Sequence, residues 1–553
     1  MNYPFFKKNF TFIAILTLAI FVTILGLSLD LIEPDATLYG SISKIMCLNN
    51  DFINLFSQGQ DWLDKPHLPF WLTAISFKFF GINNISYKIF GVLIFYFGAY
   101  ITYQFTKKTY NKTTAIMAVI ILITAEHSII SNFDVRAEAY LTGFIIAAFY
   151  WFYKYIENKK LKHLIIASLF SAFAVMTKGV FALIPIAAAI GGELLVKRKW
   201  KEIINPMWLV AMLLIFIFIL PELYTLYLQF DLHPEKIVFG KTNVSGIKFF
   251  FWDSQFGRFF NTAPIKGKGD VFFFIHTILW AFLPWSLLFY IASFFKIKRN
   301  FKKIQKNEEF YTFFATFITL LIFSLSKFQL PHYSNIVFPF MAIITADFIY
   351  KLSSKYKQLK KAYAIILYSQ MALVILLVMG ISYFLQPAIN YTFLIVLIFA
   401  VSLILYVVKQ PNILKELSLF YVTSIIFLCI NAFLITHLYP TIQQYVGGVY
   451  AAKFVNKNYD GNAFFIGGKN HHFAFEFYVK NPVNHIPYNK LSSNKGCIVY
   501  ADKNLLNQLK KDEIKFTILK EFDNYSISRL QWNFINKKTR AKTLEKVYLL
   551  KLN

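Results

Sequence analysis

Three acidic groups in this sequence stand at the edges of apolar runs, each beside a proline or a cation. Asp35 follows the first run in Leu31-Ile32-Glu33-Pro34-Asp35-Ala36. Asp64-Lys65-Pro66 lies in the loop that follows, and Asp134-Val135-Arg136-Ala137-Glu138 opens a later run. Group transfer from a phosphate-linked lipid would use such a set. One carboxylate takes the proton of the attacking oxygen or steadies the positive charge growing on the transferred group. Cations, or a metal ion, hold the phosphate as it leaves.

Asp35 is the candidate for the base or charge-stabilising carboxylate, although an Asp in the turn before a helix also serves as a cap. Asp64 could bridge a divalent ion to phosphate while Lys65 contacts the phosphate directly; a plain Asp-Lys-Pro surface turn is the alternative. Asp35 and Asp64 are thus the candidate metal ligands, and a metal requirement stays open. Glu138, the second candidate catalytic carboxylate, falls at the end of a predicted span, where an acid is costly unless paired or solvated. Arg136 is a candidate for contact with the donor phosphate; with Asp134 it is also close enough to Glu138 in sequence for a structural salt bridge, which is the alternative. Lys178, between two apolar runs, could meet a lipid phosphate or simply snorkel. Arg258 and His332 are candidates for phosphate or donor contact, and Tyr333 for the wall of the same cavity.

The elements that must position these residues are membrane helices. The 553 residues are 57% hydrophobic, with 64 Phe and 33 Tyr, and mean hydropathy is +0.50. Apolar runs of roughly 18–25 residues recur, the length that crosses a ~30 Å hydrocarbon core, whereas a barrel would show alternating ten-residue segments. The net charge of +28 does not indicate a nucleic-acid partner. Its lysines cluster in short loops between runs, where they set topology and meet anionic lipid headgroups.

About thirteen spans are expected, centred near 10–29, 84–106, 113–131, 137–156, 162–177, 179–196, 206–227, 270–294, 310–325, 333–351, 361–385, 391–408 and 416–438. With the N-terminus cytoplasmic, every inside loop is basic, as in Lys107-Lys108, Lys159-Lys160 and Lys197-Arg198-Lys199, which satisfies the positive-inside rule. The acidic motifs and the tail from 439 then lie outside. The first run, following Lys7-Lys8, reads as an uncleaved helix rather than a signal peptide. Outside segments 30–83 and 228–269 carry aromatic clusters such as Phe249-Phe250-Phe251-Trp252, expected as interfacial helices framing a cavity or merely covering the bundle.

Residues 439–553 change character. Asn462–Gly468, Cys497–Ala501 and Lys515–Leu519 read as short buried strands and Asn504–Leu509 as helix, enough for a small α/β domain. His471-His472 could bind metal, although adjacent histidines in a loop are more often incidental, and the lone pair Gly467-Gly468 is weak evidence for a nucleotide fingerprint. A disulfide between Cys47 and Cys497 is a possibility that sequence cannot decide.

Several ordered motifs carry a family resemblance. Glu33-Pro34-Asp35-Ala36-x-x-Tyr39, followed by Asp64-Lys65-Pro66-His67-Leu68-Pro69-Phe70-Trp71-Leu72, resembles the signature of bacterial lipid A aminoarabinose transferases. These belong to the polyprenyl-phosphate-sugar-dependent, GT-C-type membrane glycosyltransferases, which include protein O-mannosyltransferases. Val135-Arg136-Ala137-Glu138-Ala139 resembles their Arg-Thr-Asp-Ala element. Thr177-Lys178-Gly179, Leu283-Pro284-Trp285-Ser286 and Leu330-Pro331-His332-Tyr333 match further motifs in order, over roughly residues 1–350. Three positions depart from the pattern: Ala36 replaces a second acid, His67 replaces a proline, and Glu138 replaces an aspartate.

The resemblance implies a GT-C-type polytopic α-helical membrane protein with a transmembrane glycosyltransferase domain (1–438) and an extracytoplasmic α/β domain (439–553). It implies a bacterial plasma (inner) membrane location and an undecaprenyl-phosphate-like sugar donor as co-substrate. The leading acceptor is lipid A, with a protein hydroxyl or another envelope glycolipid as alternatives. A transporter or lipid flippase is the rival of a different class. It fits less well, because the sequence has no internal repeat of its spans and its acids sit at one face rather than at the midplane.

Overall fold

The computed structural model describes residues 3–31, 34–302, 308–411, 413–459, 464–467, 472–486, 488–491, 493–527 and 530–553. Eight of the described helices are long and apolar enough to cross a bilayer: Asn9–Leu27, Asn84–Thr109, Leu161–Lys178, Trp200–Phe218, Pro331–Ser353, Lys357–Leu385, Thr392–Lys409 and Lys415–Gln443. The pair Lys112–Thr124 and Glu126–Phe133, bent by 56°, makes a ninth if counted as one span. Trp200–Phe218, Lys357–Leu385 and Thr392–Lys409 are only 6%, 17% and 22% buried. Helices apolar on all sides yet unburied by protein face lipid, and the chain is a multi-pass membrane protein.

The expected thirteen spans are not matched by helix length. Residues 137–156 form the helix Ala137–Asn158, but it is buried along almost its whole length and sits inside the bundle. Residues 179–196 divide into the 3-10 turn Val180–Leu183 and the helix Ile184–Val196. Residues 270–294 break around Pro284 into Phe273–Ala281 and Ser286–Lys302, since a proline ring cannot continue a helix. Tyr311–Leu325 has 15 residues, about 22 Å of helix. Apolar run length counts hydrophobic residues; it does not detect breaks within them.

Local chemistry sets the boundaries. Gly81, at φ 74°, ends the interfacial helix Leu68–Phe80. Asn83 then opens Asn84–Thr109 with a capping box to Ser86, which satisfies backbone donors that the helix itself cannot. Where Asn84–Thr109 crosses Ala137–Asn158, a Cβ on Gly143 would come within 2.2 Å of the Ile94 carbonyl, so glycine permits that contact. Leu68–Phe80 leaves Phe79 and Phe80 78% and 67% exposed, as an element lying in the membrane interface would.

The last spanning helix runs through Gln443, beyond the expected boundary at 438. The tail then forms a five-stranded sheet from β3 (Phe464–Gly467), β4 (Val483–Ile486), β5 (Ile498–Asp502), β6 (Phe516–Asn524) and β7 (Glu545–Leu552), ordered β4-β3-β5-β7-β6. A short hairpin of two-residue strands, β1 (Phe56–Ser57) and β2 (Gln60–Asp61), lies between the helices Pro34–Asn49 and Leu68–Phe80. β3 runs parallel to β4 and β5, while β7 pairs antiparallel with β5 and β6. The three expected strands and the helix Lys503–Lys511 are present. β6 is largely exposed rather than buried, because it occupies the sheet edge. Cys47 and Cys497 are free thiols, not a disulfide. Cys47 packs against the core of the helical bundle and Cys497 against a separate cluster under the sheet.

The domain is fastened to the helix Pro34–Asn49. Lys44, buried at 3% exposure, donates from Nζ to the carbonyls of Glu476 (2.8 Å), Phe477 (3.3 Å) and Val479. These carbonyls end the helix Phe473–Tyr478, where a cation complements the unpaired acceptors. Burial pulls the Lys44 ammonium down to about 8. The Leu31 N–H donates to the Tyr478 hydroxyl at 2.6 Å, and Ser41 Oγ to the Phe473 carbonyl at 3.2 Å.

Candidate functional site

The loop that carries Asp64 and Lys65 is held from the segment 220–231. His67 is fully buried. Its backbone N–H donates to Glu222 Oε2 at 2.9 Å, its Nδ1 lies 3.0 Å from Glu222 Oε1, and its Nε2 lies 2.9 Å from the Ile53 carbonyl. Gln229 brackets Leu55, accepting from its N–H at 3.0 Å and donating to its carbonyl at 2.9 Å, and it also donates to Asp61. The His67 departure from the family pattern is therefore a structural pin. A His67→Ala protein leaves the buried Glu222 carboxylate without its ring partner, which costs about 1–3 kcal/mol or more. The expected outcome is a lowered unfolding temperature in detergent and faster proteolysis within 50–66.

Asp64 sits between two cations, with Lys65 Nζ 2.5 Å from Oδ2 and Arg258 Nη2 paired to Oδ1. Burial opposes ionisation of Asp64, but Lys65 and Arg258 outweigh it and hold the carboxyl below its usual range. Burial leads the shift of Lys65 as well, downward, with Asp64 opposing. Lys178 arrives from another direction. It pairs with Glu138 and lies 3.5 Å over the Tyr333 ring, a cation–π geometry.

Gly179 makes this possible: at φ 101° it ends the helix Leu161–Lys178, and a Cβ there would fall 2.2 Å from Gln255 Nε2. Gln255 in turn donates to the Lys178 carbonyl at 3.0 Å. Asp64, Lys65, Lys178, Arg258, Gln255 and Tyr333 all line one cavity, together with Phe181, Ala182 and Phe328. Arg258 Nε is buried there without a hydrogen-bond partner among the described residues.

A second chain of contacts leads to Asp35. Arg136 donates to Asp134 Oδ2 at 2.9 and 3.2 Å and lies 3.8 Å from Asp35 Oδ2. Its Nη1 is 3.3 Å from His332 Nδ1, and His332 Nε2 is 3.8 Å from Glu138 Oε1. Asp35, in the first turn of Pro34–Asn49, has 51% of its side chain exposed, against 3%, 8% and 18% for Glu138, Asp134 and Asp64. Tyr39, one turn further along, is buried against Trp62 and Phe70.

All nine residues singled out from sequence thus meet in two linked clusters, one around Asp64 and Lys178, one around Arg136. Glu138 forms its ion pair with Lys178 rather than with Arg136. Sequence reasoning missed Gln255 and Phe328, whose types carry no chemical signal, and Lys44, which reads as an ordinary loop lysine. His471 lies outside the described residues; His472 packs edge-on against Tyr500. No group of three or more His, Cys, Asp or Glu placed to hold a metal occurs among the described residues. Asp64 is a poor metal ligand as arranged, because both its oxygens are taken by cations that would repel a divalent ion.

Residues 64–224 match the family model described as dolichyl-phosphate-mannose-protein mannosyltransferase. An uncharacterized protein of Aquifex aeolicus is 28% identical over 325 residues, 58% of this chain and 60% of that one. An undecaprenyl phosphate-alpha-4-amino-4-deoxy-L-arabinose arabinosyl transferase of Erwinia tasmaniensis is 24% identical over 346 residues, 60% of this chain and 58% of that one. The chain thus spans less than two thirds of the length of these curated relatives. The crystal structure of ArnT from Cupriavidus metallidurans bound to undecaprenyl phosphate superposes with a TM-score of 0.75 at 14% identity, over 97% of both chains. That likeness shows a shared fold from end to end.

Proposed function

We infer that this chain, an aminoarabinose-transferase-like protein of the GT-C type, is a membrane glycosyltransferase. In this reading it moves a sugar from an undecaprenyl-phosphate-type donor to an acceptor outside the plasma membrane. The carrying observation is the cavity lined by Lys65, Lys178 and Arg258, three cations held by two carboxylates, Asp64 against Lys65 and Arg258 and Glu138 against Lys178. A sugar phosphodiester enters such a cavity with about one negative charge, and the departing monoester carries ≈ −1.5 to −2. A surplus of fixed cations therefore favours the leaving state over the bound substrate, which is what accelerates a reaction. The unpartnered Nε of Arg258 is a donor waiting for an oxygen.

The helical segment Val180–Val196 supplies the route for the lipid tail. Phe181 and Ala182 line the cation cavity, while Leu183, Ile186, Ile190 and Leu194 line an apolar groove shared with Trp208 and Ile215. Twelve residues of helix span about 18 Å, room for several isoprene units beside a phosphate held at Lys65 and Arg258.

In the reaction, the acceptor oxygen forms a bond to the anomeric carbon as the carbon–oxygen bond to phosphate breaks. The electron pair leaves with the phosphate. Asp35 receives the proton of a hydroxyl acceptor, or faces the sugar's positive charge when the acceptor is already ionised. Arg136 orients Asp35, and Glu138 holds Lys178 in place.

The relatives' names favour an aminoarabinose-type sugar on undecaprenyl phosphate, and the motif resemblance adds lipid A as the leading acceptor. The N-terminus would then be cytoplasmic, with the site and tail domain outside. Lipid mass spectrometry of the host, with and without the chain, tests this. The expected result is a sugar-sized mass on lipid A only when the chain is present, with its polyprenyl-phosphate sugar accumulating when it is absent. Unchanged pools of both lipids would end the proposal.

A further inference from the structure

The stretch 525–544 of the tail domain carries Lys537, Lys538, Arg540 and Lys542 and contains no acidic residue. Its two short helices, Trp532–Ile535 and Lys537–Arg540, are fixed to the end of the helix Lys360–Leu385. Arg540 makes the joint. It donates from Nη2 to the Leu385 carbonyl at 3.0 Å, from Nε to the Phe534 carbonyl at 2.9 Å and from Nη1 to the Tyr445 hydroxyl at 3.1 Å. The Leu385 carbonyl is one of the acceptors that a helix end leaves unpaired, and a guanidinium complements it. Phe534 is buried in one cluster with Leu385 and Ile442, and the Trp532 ring meets Phe384 edge-on at 4.6 Å. The transfer chemistry makes no use of this unit, and none of its residues lines the cation cavity.

The helix sets the depth at which the unit sits. Residues 362–385 carry no charge and span about 36 Å, whereas the hydrocarbon core takes ~30 Å, or about 20 residues. With Lys360 and Lys361 at one headgroup level, the last helical turn reaches the other. The side chains there are bare: Tyr383, Ile389 and Tyr391 are 74%, 78% and 75% exposed, and Trp532 is 54% exposed. Tyrosine and tryptophan at this depth are the interfacial belt of membrane proteins, and Trp532 is the member supplied by the tail domain. Lys537, Lys538 and Lys542 follow it, all exposed, with no acid in their own stretch to neutralise them.

We propose that residues 530–542 are a headgroup anchor, in which Trp532 sits at the membrane boundary and Lys537, Lys538 and Lys542 bind the phosphates of anionic phospholipids. Two observations choose lipid as the occupant. The surface continues the flank of Lys357–Leu385, a helix only 17% buried by protein, and its charge is of one sign, opposite to that of the headgroups. Each lysine beside an anionic surface strengthens the attachment about fivefold. Lys44 already ties the same domain to the helix that carries Asp35. The anchor is thus a second attachment, and one that responds to lipid charge. The assignment is independent of the glycosyl-transfer reading.

The test is hydrogen exchange of the full chain in nanodiscs, read peptide by peptide, in phosphatidylcholine alone and with phosphatidylglycerol added. Amides of 530–542 are expected to exchange about threefold or more slowly when the anionic lipid is present. High salt should remove the difference, as should Lys537→Glu/Lys538→Glu/Lys542→Glu, while peptides across β5 and β7 exchange as in wild type. Lys542→Glu alone should remove part of the response and serves if the triple variant unfolds. Brominated phosphatidylcholine should quench a tryptophan component of wild type that Trp532→Phe lacks.

Wild-type exchange that ignores lipid charge overturns the assignment, and so does a charge response that survives all three substitutions. Protection reproduced by inorganic phosphate in phosphatidylcholine nanodiscs would make this a site for free phosphate and overturns it equally. A quenched component that persists in Trp532→Phe removes Trp532 from the boundary and the anchor with it.

Discussion

An Asp35→Asn protein is expected to insert, fold and bind undecaprenyl phosphate like wild type, yet to transfer sugar about 10²–10⁴-fold more slowly, the range for a general-base group. The expectation comes from comparing the carboxylates around the site. Asp64 is committed to Lys65 and Arg258, Asp134 to Arg136, and Glu138 to Lys178. Each is needed where it stands to neutralise a cation, and removing any of them would disturb a partly buried pair. Asp35 alone combines a loose contact, 3.8 Å to Arg136, with a half-exposed side chain, so it can approach a substrate. The amide keeps the shape but removes the charge and one acceptor oxygen. Single-turnover transfer with a purified donor, at matched protein, is the measurement. A loss below about fivefold, against the tenfold that 1.36 kcal/mol of barrier represents, would move the chemistry to Glu138.

How far the sequence disclosed this arrangement depended on what kind of information each feature carries. Charged residues beside apolar runs were legible because a charge near hydrocarbon is expensive and must be explained, and Asp35, Asp64, Glu138 and Lys178 all proved to converge. The partners were less legible. Asp134, Arg136 and Glu138 lie within five positions, yet Glu138 turns to Lys178, forty residues away, because only the packing of Ala137–Asn158 against Leu161–Lys178 decides which cation it meets. The spans show the same limit. Lys357–Leu385 and Thr392–Lys409 were plain from composition, since they face lipid. Ala137–Asn158, buried among other helices, is apolar for a different reason, and a hydropathy window cannot tell the two apart. In the tail, β5 was visible as a short apolar run. β7, which pairs with both β5 and β6, was hidden by Glu545, Lys546 and Lys551 at its ends.

Arg258→Met carries the other large effect, and it acts on the opposite side of the reaction. Arg258 is the fork that closes over Asp64 from a different segment of chain, and its buried Nε has no hydrogen-bond partner among the described residues. Methionine preserves bulk and contact with Phe328, which the guanidinium approaches at 5.4 Å, while removing charge and donors. Losing one preorganised donor to a developing oxyanion costs about 10²–10³ in rate, so kcat should fall by that order and undecaprenyl-phosphate binding should weaken in parallel. Arg258→Lys restores charge but not the fork, and only part of the activity should return.

The same substitution has a signature independent of turnover. Asp64 is held below its usual range against burial, by Lys65 together with Arg258. A carboxylate with a depressed folded pKa contributes stability above its unfolded value, near 3.9. That contribution is lost as pH falls through the folded value. Without Arg258 the folded value rises, so the loss begins at higher pH. Thermal unfolding followed downward from pH 6 should therefore show Arg258→Met destabilising earlier than wild type, and Arg258→Met/Asp64→Asn should abolish that difference. Equal acid profiles for Arg258→Met and wild type would mean that Arg258 does not hold Asp64, and the cation wall on which phosphate departure depends would have to be redrawn around Lys65 and Lys178.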